Sequence, residues 1–243
     1  MLMDPVNYGL IDLTKVITKS SQVGVTKIAL DLQPNQIRDM YERVGLGQST
    51  SIGFHGESVG LLPNRARWTD IERANFAFGH GVSTTALQLA QAYAVIANHG
   101  EKRDVSLLYR DTPPPAERVI DRKVAQQVVA MLKTVAGPQG TAKRAQIEAY
   151  PVAGKTGTMH KVGREGYASD RYQAVFAGLA PADDPRVVSV VVIDEPSAGK
   201  YFGGLVAAPV FAAVAEAALR LMHVPPQTSA RSPQLAAVSR GSL

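Results

Sequence analysis

The stretch VAGKTGT, residues 152–158, contains a Gly-Lys-Thr triplet of the kind found in phosphate-binding loops. Such a loop needs a first glycine five residues before the second, and that position is Ala149 here. It also needs a helix directly after the threonine, where this chain has Gly157, a poor helix former. The triplet is therefore not a phosphate loop. We predict instead the end of a strand, which presents a lysine and two threonine hydroxyls along its edge.

The composition describes a globular chain without cysteine chemistry. Of its 243 residues, 45% are hydrophobic and 19% are charged, which suits one large domain or two small ones with a sizeable core. The absence of cysteine excludes a disulfide framework, a thiol nucleophile and a cysteine-based metal site, and it leaves the redox compartment open. The net charge is +5, but the lysines and arginines are scattered and accompany no recognition motif. We therefore expect no nucleic-acid partner, and also no metal and no cofactor.

Three helices are predicted before the lysine-bearing strand. They run from Pro34 to the residue before Gly45, from a cap at Thr84 or Thr85 to Asn98, and from a cap at Asp121 to the residue before Gly137. The second helix has apolar residues most of the way round, so we expect it to be buried. The segment from Gly45 to Gly81 is rich in Gly, Ser, Asn and Pro, which predicts an irregular stretch that covers or shapes a site.

The last third of the chain has the pattern of a sheet followed by a helix. Strands are predicted at residues 150–158, 171–180 and 186–194, and a short turn makes the last two antiparallel. The third strand, VVSVVVI, is apolar almost throughout, which indicates helices on both of its faces. A last helix is predicted to open at Pro209 and to end before Pro225. We therefore predict an α/β (α+β) domain over residues 1–226, with an antiparallel sheet flanked by helices, and a disordered tail over residues 227–243.

Neither end of the sequence predicts a membrane anchor or a signal peptide. The apolar run Leu205–Ala215 is well short of the ~20 residues that cross a bilayer. The first ten residues, MLMDPVNYGL, have neither the basic region nor the apolar core of a signal peptide. We expect no anchor and no signal within the chain.

Six blocks of the sequence occur in the order in which one protein family has them. They are NYGLIDLTKVITKSSQVG, GFHGESVGLLPN, FAFGHGVSTTALQLAQAYAVIANHG, VAGKTGT, FAGLAPADDPRVVSVVVIDEP and YFGGLVAAPVFAAVAEAALRLMHVPP. On these blocks, from about Asn7 to Pro226, the chain resembles the class B penicillin-binding proteins, in particular the septal, cell-division type of peptidoglycan D,D-transpeptidase. The resemblance implies an incomplete penicillin-binding transpeptidase fold, similar to the serine β-lactamases, in which the N-terminal strands are missing and VVSVVVI is an exposed edge.

The chemistry that the resemblance implies is acyl transfer between cell-wall peptides. A serine attacks the D-Ala-D-Ala amide of a peptidoglycan stem peptide, and an amine of a neighbouring strand then takes the acyl group. The implied partners are the stem peptide, the β-lactams that trap the serine, and other cell-division proteins. The implied location of the full-length protein is the periplasmic face of the inner membrane.

The resemblance assigns the Lys-Thr-Gly-Thr strand to the substrate. Lys155 is expected to act in catalysis and to supply positive charge beside the cleft. The hydroxyls of Thr156 and Thr158 would donate to the terminal carboxylate, and Gly157 would let the substrate lie close to the backbone. The Thr158 amide would donate to the oxyanion.

A second family motif, Ser-x-Asn, matches Ser20-Ser21-Gln22. The resemblance gives Ser20 the role of relaying a proton toward the leaving nitrogen, and it gives Gln22 contact with the substrate amide. Gln22 departs from the motif because it keeps the amide of asparagine but adds a methylene and a rotatable bond. The alternative interpretation of the same residues is a polar helix cap before Val23. His80, in a Gly-His-Gly block, is expected to be structural or to face substrate.

The nucleophile is the missing part of the expected site. The family places it in a Ser-x-x-Lys motif upstream of Ser20, and the 19 residues before Ser20 contain none. The one such motif in the chain is Ser197–Lys200, which follows the last predicted strand and is interpreted as coincidental. Two hypotheses remain open. The chain is part of a membrane-anchored transpeptidase, or it is a non-catalytic module of the same fold that binds stem peptide or a division partner.

Overall fold

A computed structural model describes residues 3–163 and 166–227, with the side chains of 162–169 excepted. The helices of this part are α1 Leu13–Lys19, α2 Gln22–Asp31, α3 Gln36–Arg43, α4 Asp70–Ala77, α5 Ala86–Ala97, α6 Arg122–Ala136 and α7 Gly203–Leu221. The strands are β1 Glu101–Lys102, β2 Glu117–Arg118, β3 Ala153–Gly163, β4 Gly166–Ala180 and β5 Val187–Asp194.

The main sheet has the order β3-β4-β5 and is antiparallel throughout, as predicted. Lys155 on β3 pairs with Ala177 on the central strand β4. Strands β3 and β4 extend well beyond the predicted bounds, since β3 continues to Gly163 and β4 begins at Gly166. Within the described residues β5 pairs with β4 alone and forms one edge of the sheet.

Helices cover both faces of the sheet, as the apolar third strand predicted. On one face, Phe211 of α7 packs against Phe176 of β4 with ring centroids 4.8 Å apart. Both rings are fully buried, and each such burial contributes roughly 1.5–3 kcal/mol. On the other face, Leu132 of α6 and Ala97 of α5 belong to one buried apolar cluster with Leu179 of β4. The Lys-Thr-Gly-Thr segment thus lies on β3, an edge strand of the described sheet, which is the middle layer between two layers of helices.

The prediction of an irregular segment over residues 45–81 is wrong in part, because α4 lies within it. Thr69 caps this helix in a reciprocal pair with Glu72: the Thr69 hydroxyl accepts from the Glu72 amide, and the Glu72 carboxylate accepts from the Thr69 amide. The sequence Thr-Asp-Ile-Glu is therefore a helix start in a stretch whose glycines and prolines suggested a loop.

The predicted start of the last helix is also wrong. Helix α7 begins at Gly203, and Pro209 lies inside it. A proline removes the hydrogen bond to the carbonyl four residues earlier, which is that of Leu205. The guanidinium of Arg144 donates to this carbonyl at 3.4 Å and so satisfies the freed acceptor. By length and composition α7 could cross a membrane, but a row of its residues, including Phe211, is buried against the sheet.

The other three predicted helices agree with the structure to within a few residues. Thr85 caps α5 and Asp121 caps α6, as expected. Helices α1 and α2, before the first predicted helix, were not predicted. The predicted tail, from residue 227 onward, lies outside the described residues except for Gln227.

Candidate active site

Lys155 and Ser20 meet where β3 passes the turn between α1 and α2. The Lys155 ammonium donates to the Ser20 hydroxyl oxygen at 2.6 Å and to the Thr156 carbonyl at 3.1 Å. Burial lowers the pKa of Lys155 to about 8. A lysine with this pKa is partly deprotonated near neutral pH, whereas an ordinary surface lysine is almost fully protonated.

Ser20 occupies a strained turn. It ends α1 in the left-handed region, with φ 57° and ψ 45°, which is uncommon for a residue other than glycine. The next residue, Ser21, is buried and caps α2, since its hydroxyl accepts from the Gly24 amide at 2.9 Å. The interpretation of Ser-Ser-Gln as a helix cap is therefore correct for Ser21. It coexists with the placement of Ser20 beside Lys155, because each serine has a different partner.

Polar contacts hold α1 against α6. The hydroxyls of Thr18 and Thr134 are hydrogen-bonded to each other. The ammonium of Lys19 donates to the Gln139 carbonyl at 2.6 Å, just beyond the end of α6. These contacts fix the end of α1 from which Ser20 projects.

The two threonines of the strand have different partners. The Thr156 hydroxyl lies 3.0 Å from that of Thr141. The Thr158 hydroxyl accepts from the Gly203 amide at 3.0 Å, at the first residue of α7. Its own hydrogen is left for another acceptor. Positive partial charge at the start of a helix favours an anion nearby, so this end of the strand suits a carboxylate.

Glycine is required at the first residue of α7. A β-carbon on Gly203 would lie 2.3 Å from the Val175 carbonyl oxygen and 2.5 Å from that of Gly157. The helix therefore packs directly on the backbone of β3 and β4. Gly157 itself has room, because a β-carbon there would meet only Val175, at 3.5 Å. Its expected role of admitting substrate stays a prediction.

Two further predicted residues, Gln22 and His80, take no part in the Lys155–Ser20 contact. Gln22 is the first residue of α2 and is exposed, and its side chain makes no hydrogen bond with any residue that the structure describes. His80 lies between two glycines of positive φ, Gly79 and Gly81, and its ring meets Phe78 edge-on at 5.1 Å.

Ser197 and Lys200 lie in the loop between β5 and α7. Both are exposed, and across the described part of the chain no hydrogen bond joins them. A Ser-x-x-Lys pair that acts together needs one helical turn to bring the two side chains onto one face. These two residues do not have that arrangement.

Sequence reasoning missed several groups of the site. Thr141 and Gly203 contact the strand from segments that carry no motif of their own. An aromatic cluster also adjoins the site: Tyr201 stacks on Tyr172 with centroids 3.9 Å apart, and Phe202, directly before Gly203, is half exposed. The spacing Tyr-Phe-Gly-Gly after the last strand was the available signal.

The fold and the site together indicate the class of protein. Residues 3–216 match the penicillin binding protein transpeptidase domain, and the chain belongs to that family. It is 46% identical over 225 residues to the peptidoglycan D,D-transpeptidase FtsI of Escherichia coli K12, covering 93% of this chain and 38% of the relative. It is 40% identical over 234 residues to the probable peptidoglycan D,D-transpeptidase PbpC of Pseudomonas aeruginosa, covering 96% of this chain and 41% of that protein.

A solved structure shows the same fold. The apo transpeptidase domain of Burkholderia pseudomallei penicillin-binding protein 3 superimposes with a TM-score of 0.88 at 40% identity, covering 93% of this chain and 69% of that one. The chain spans less than half the length of the two curated relatives named above.

Proposed function

We propose that this chain supplies the substrate-binding and proton-relay side of the site of a septal peptidoglycan D,D-transpeptidase, a target of β-lactams. The observation that carries the proposal is the contact of 2.6 Å between the Lys155 ammonium and the Ser20 hydroxyl, formed by a lysine whose pKa burial lowers to about 8. General acid–base catalysis needs a group that titrates near the working pH and lies within hydrogen-bond reach.

In the proposed reaction, Lys155 and Ser20 pass one proton to the leaving group. When the D-Ala–D-Ala amide breaks, the departing nitrogen takes a proton from the Ser20 hydroxyl. Lys155 returns a proton to Ser20, so the pair ends one proton short until the incoming amine supplies it. Ser20 would act as the bridge because its oxygen already accepts from Lys155.

The terminal carboxylate of the stem peptide would bind along β3. Lys155 gives the positive charge, and the hydroxyls of Thr156 and Thr158 donate to the carboxylate oxygens. The Gly203 amide donates to the Thr158 oxygen, so the Thr158 hydroxyl hydrogen would be available to the ligand. The Thr158 amide would serve the oxyanion, and Gln22 would hold the substrate amide.

We propose that the attacking serine is not among these 243 residues. Ser197 and Lys200 lie on a loop without mutual contact, and the chain matches 38% of the E. coli relative. The whole protein would then act at the periplasmic face of the inner membrane with other cell-division proteins. The second hypothesis, a non-catalytic module that binds stem peptide or a division partner, is favoured by the same lack of a nucleophile.

A chimera separates the two hypotheses. In the E. coli relative, the matching segment is replaced by this chain, and cells depleted of their own enzyme are scored for septation and for cross-linked peptides. We expect rescue, and we expect its loss with Lys155→Ala at unchanged protein level. A stable, correctly located chimera that forms no cross-links would contradict the proposal and favour the binding module.

A further inference from the structure

The carboxylate of Asp4 holds the start of α2. One of its oxygens accepts from the Gln22 amide at 2.8 Å and from the Val23 amide at 3.3 Å. The other accepts from the Ser21 hydroxyl. Asp4 thus takes three donors from consecutive residues, across 17 to 19 positions of sequence. The amides at a helix start have no partners within the helix, and they favour a negative charge.

These bonds hold the turn between α1 and α2, which is also restricted by burial and close packing. Ser21 is 3% exposed, and its hydroxyl also accepts from the Gly24 amide at 2.9 Å. A β-carbon on Gly24 would lie 2.6 Å from a methyl carbon of Val16, so α1 and α2 already touch closely at this point. Ser20 is the residue directly before Ser21, and its own amide is held by α1. The position of Ser20 therefore depends on α1 on one side and on Ser21 on the other.

We propose that Asp4 is a positioning residue for Ser20: its carboxylate holds the Ser21-Gln22-Val23 backbone so that the Ser20 hydroxyl stays within hydrogen-bond distance of Lys155. Among the described residues, the Asp4 carboxylate accepts from Ser21, Gln22 and Val23 and makes no hydrogen bond to Lys155. The catalytic consequence rests on the proposed function, whereas the geometric claim does not.

The chain offers a matched control. Asp12 caps α1 through the Lys15 amide at 2.7 Å, at the opposite end of that helix from Ser20. Asp4→Asn and Asp12→Asn each remove one charged helix cap, and only the first acts on the serine turn. Ser21→Ala is a second variant, which leaves the carboxylate in place but removes both the hydroxyl donor to Asp4 and the acceptor of the Gly24 amide.

The experiment is nitrogen NMR on the 243-residue chain, with the side-chain ammonium of Lys155 observed in cold, mildly acidic buffer. Ser20→Ala defines the spectrum without the Ser20 contact. We expect Asp4→Asn and Ser21→Ala to move the Lys155 signal toward the Ser20→Ala position, and Asp12→Asn to leave it in place. Amide exchange at Gln22 and Val23 should rise about five- to tenfold in Asp4→Asn and stay unchanged in α6.

Either of two results would overturn the inference. One is faster exchange at Gln22 with an unmoved Lys155 signal, which would make Asp4 a helix cap without a positioning role. The other is an equal movement in Asp4→Asn and Asp12→Asn, which would indicate a general loosening of the fold. If Asp4→Asn does not fold, Asp4→Glu decides by the same comparison, because it keeps the charge but displaces the carboxylate by one methylene and leaves the Ser21 cap of α2 in place. None of these readouts requires catalysis. A failure of the proposed function in the chimera would therefore leave the positioning role of Asp4 untouched.

Discussion

The ammonium nitrogen of Lys155 and the hydroxyl oxygen of Ser20 lie 2.6 Å apart, although 135 positions separate the two residues in the sequence. The contact joins the edge strand of the sheet to a helical turn held by α6, so it depends on the packing of the whole domain.

The first prediction concerns stability and pH. Burial lowers the pKa of Lys155 from 10.5 to about 8, so the unfolded chain keeps a proton that the folded chain releases between these values. The free energy of unfolding should therefore rise with pH from about 8 to 10.5, and this contribution should be absent in Lys155→Met. We expect the difference in the free energy of unfolding between the parent and Lys155→Met to change by about 1–3 kcal/mol over this pH range. Urea unfolding at both ends of this range measures it, and a difference that is independent of pH would contradict the burial.

The second prediction separates charge from proton transfer at Lys155. Arginine keeps the positive charge but does not release a proton at neutral pH. In the chimera with the E. coli relative, Lys155→Arg should retain part of the affinity for a peptide ending in D-Ala-D-Ala. Its acylation rate should fall by about 10² or more, as expected when acid–base catalysis is lost. Stopped-flow kinetics with a chromogenic β-lactam measures the rate. An arginine variant as fast as the parent would show that Lys155 acts through charge alone.

The third prediction compares two glycines on either side of one contact. Gly203→Ala places a carbon against two carbonyl oxygens and should cost about 1–3 kcal/mol of stability. In Gly157→Ala the added carbon would lie at an ordinary packing distance from Val175. This substitution should change stability by no more than about 0.5 kcal/mol. If substrate lies along β3, Gly157→Ala should nevertheless weaken binding of the peptide. Thermal unfolding and a binding titration test both parts, and equal destabilisation by the two substitutions would show that the start of α7 is not held as described.

The fourth prediction concerns the departure at Gln22. The side chain is exposed and makes no hydrogen bond within the described residues, so Gln22→Asn should leave stability within about 0.5 kcal/mol of the parent. The shorter asparagine has less freedom to lose when it holds the substrate amide. We expect faster acylation of the chimera by several-fold. A decrease would mean that the site is adapted to the longer residue.

Local signals predicted the parts of the fold that local interactions decide. The cap at Asp121 and the spacing of apolar residues after it predicted α6, and the alternation of strand and turn residues predicted the antiparallel hairpin. Helix α4 was predictable in principle, since the Thr69 and Glu72 pair is a local cap. The Gly, Ser, Asn and Pro content of the surrounding segment instead favoured the prediction of an irregular stretch.

The missed features depend on distant partners. The preference of proline for the first helical turn predicts a start at Pro209. The helix instead continues through Pro209, because the Leu205 carbonyl that this proline frees is satisfied by Arg144, 61 positions away from Leu205. The family resemblance placed Ser20 and Lys155 in one site but did not predict their direct contact, because no spacing rule brings two such distant residues together. Asp4 carried no motif, and its role is visible only in the hydrogen bonds that it accepts from α2.

The most direct test of the account is the intact mass of the chimera after incubation with benzylpenicillin, measured beside its Lys155→Ala variant and the 243-residue chain alone. We predict one penicilloyl group on the chimera, a much slower gain in the variant, and none on the chain alone. A chimera that gains the group equally fast without Lys155 would contradict the role of the Lys155–Ser20 pair. A stoichiometric adduct on the chain alone would show that it holds its own nucleophile.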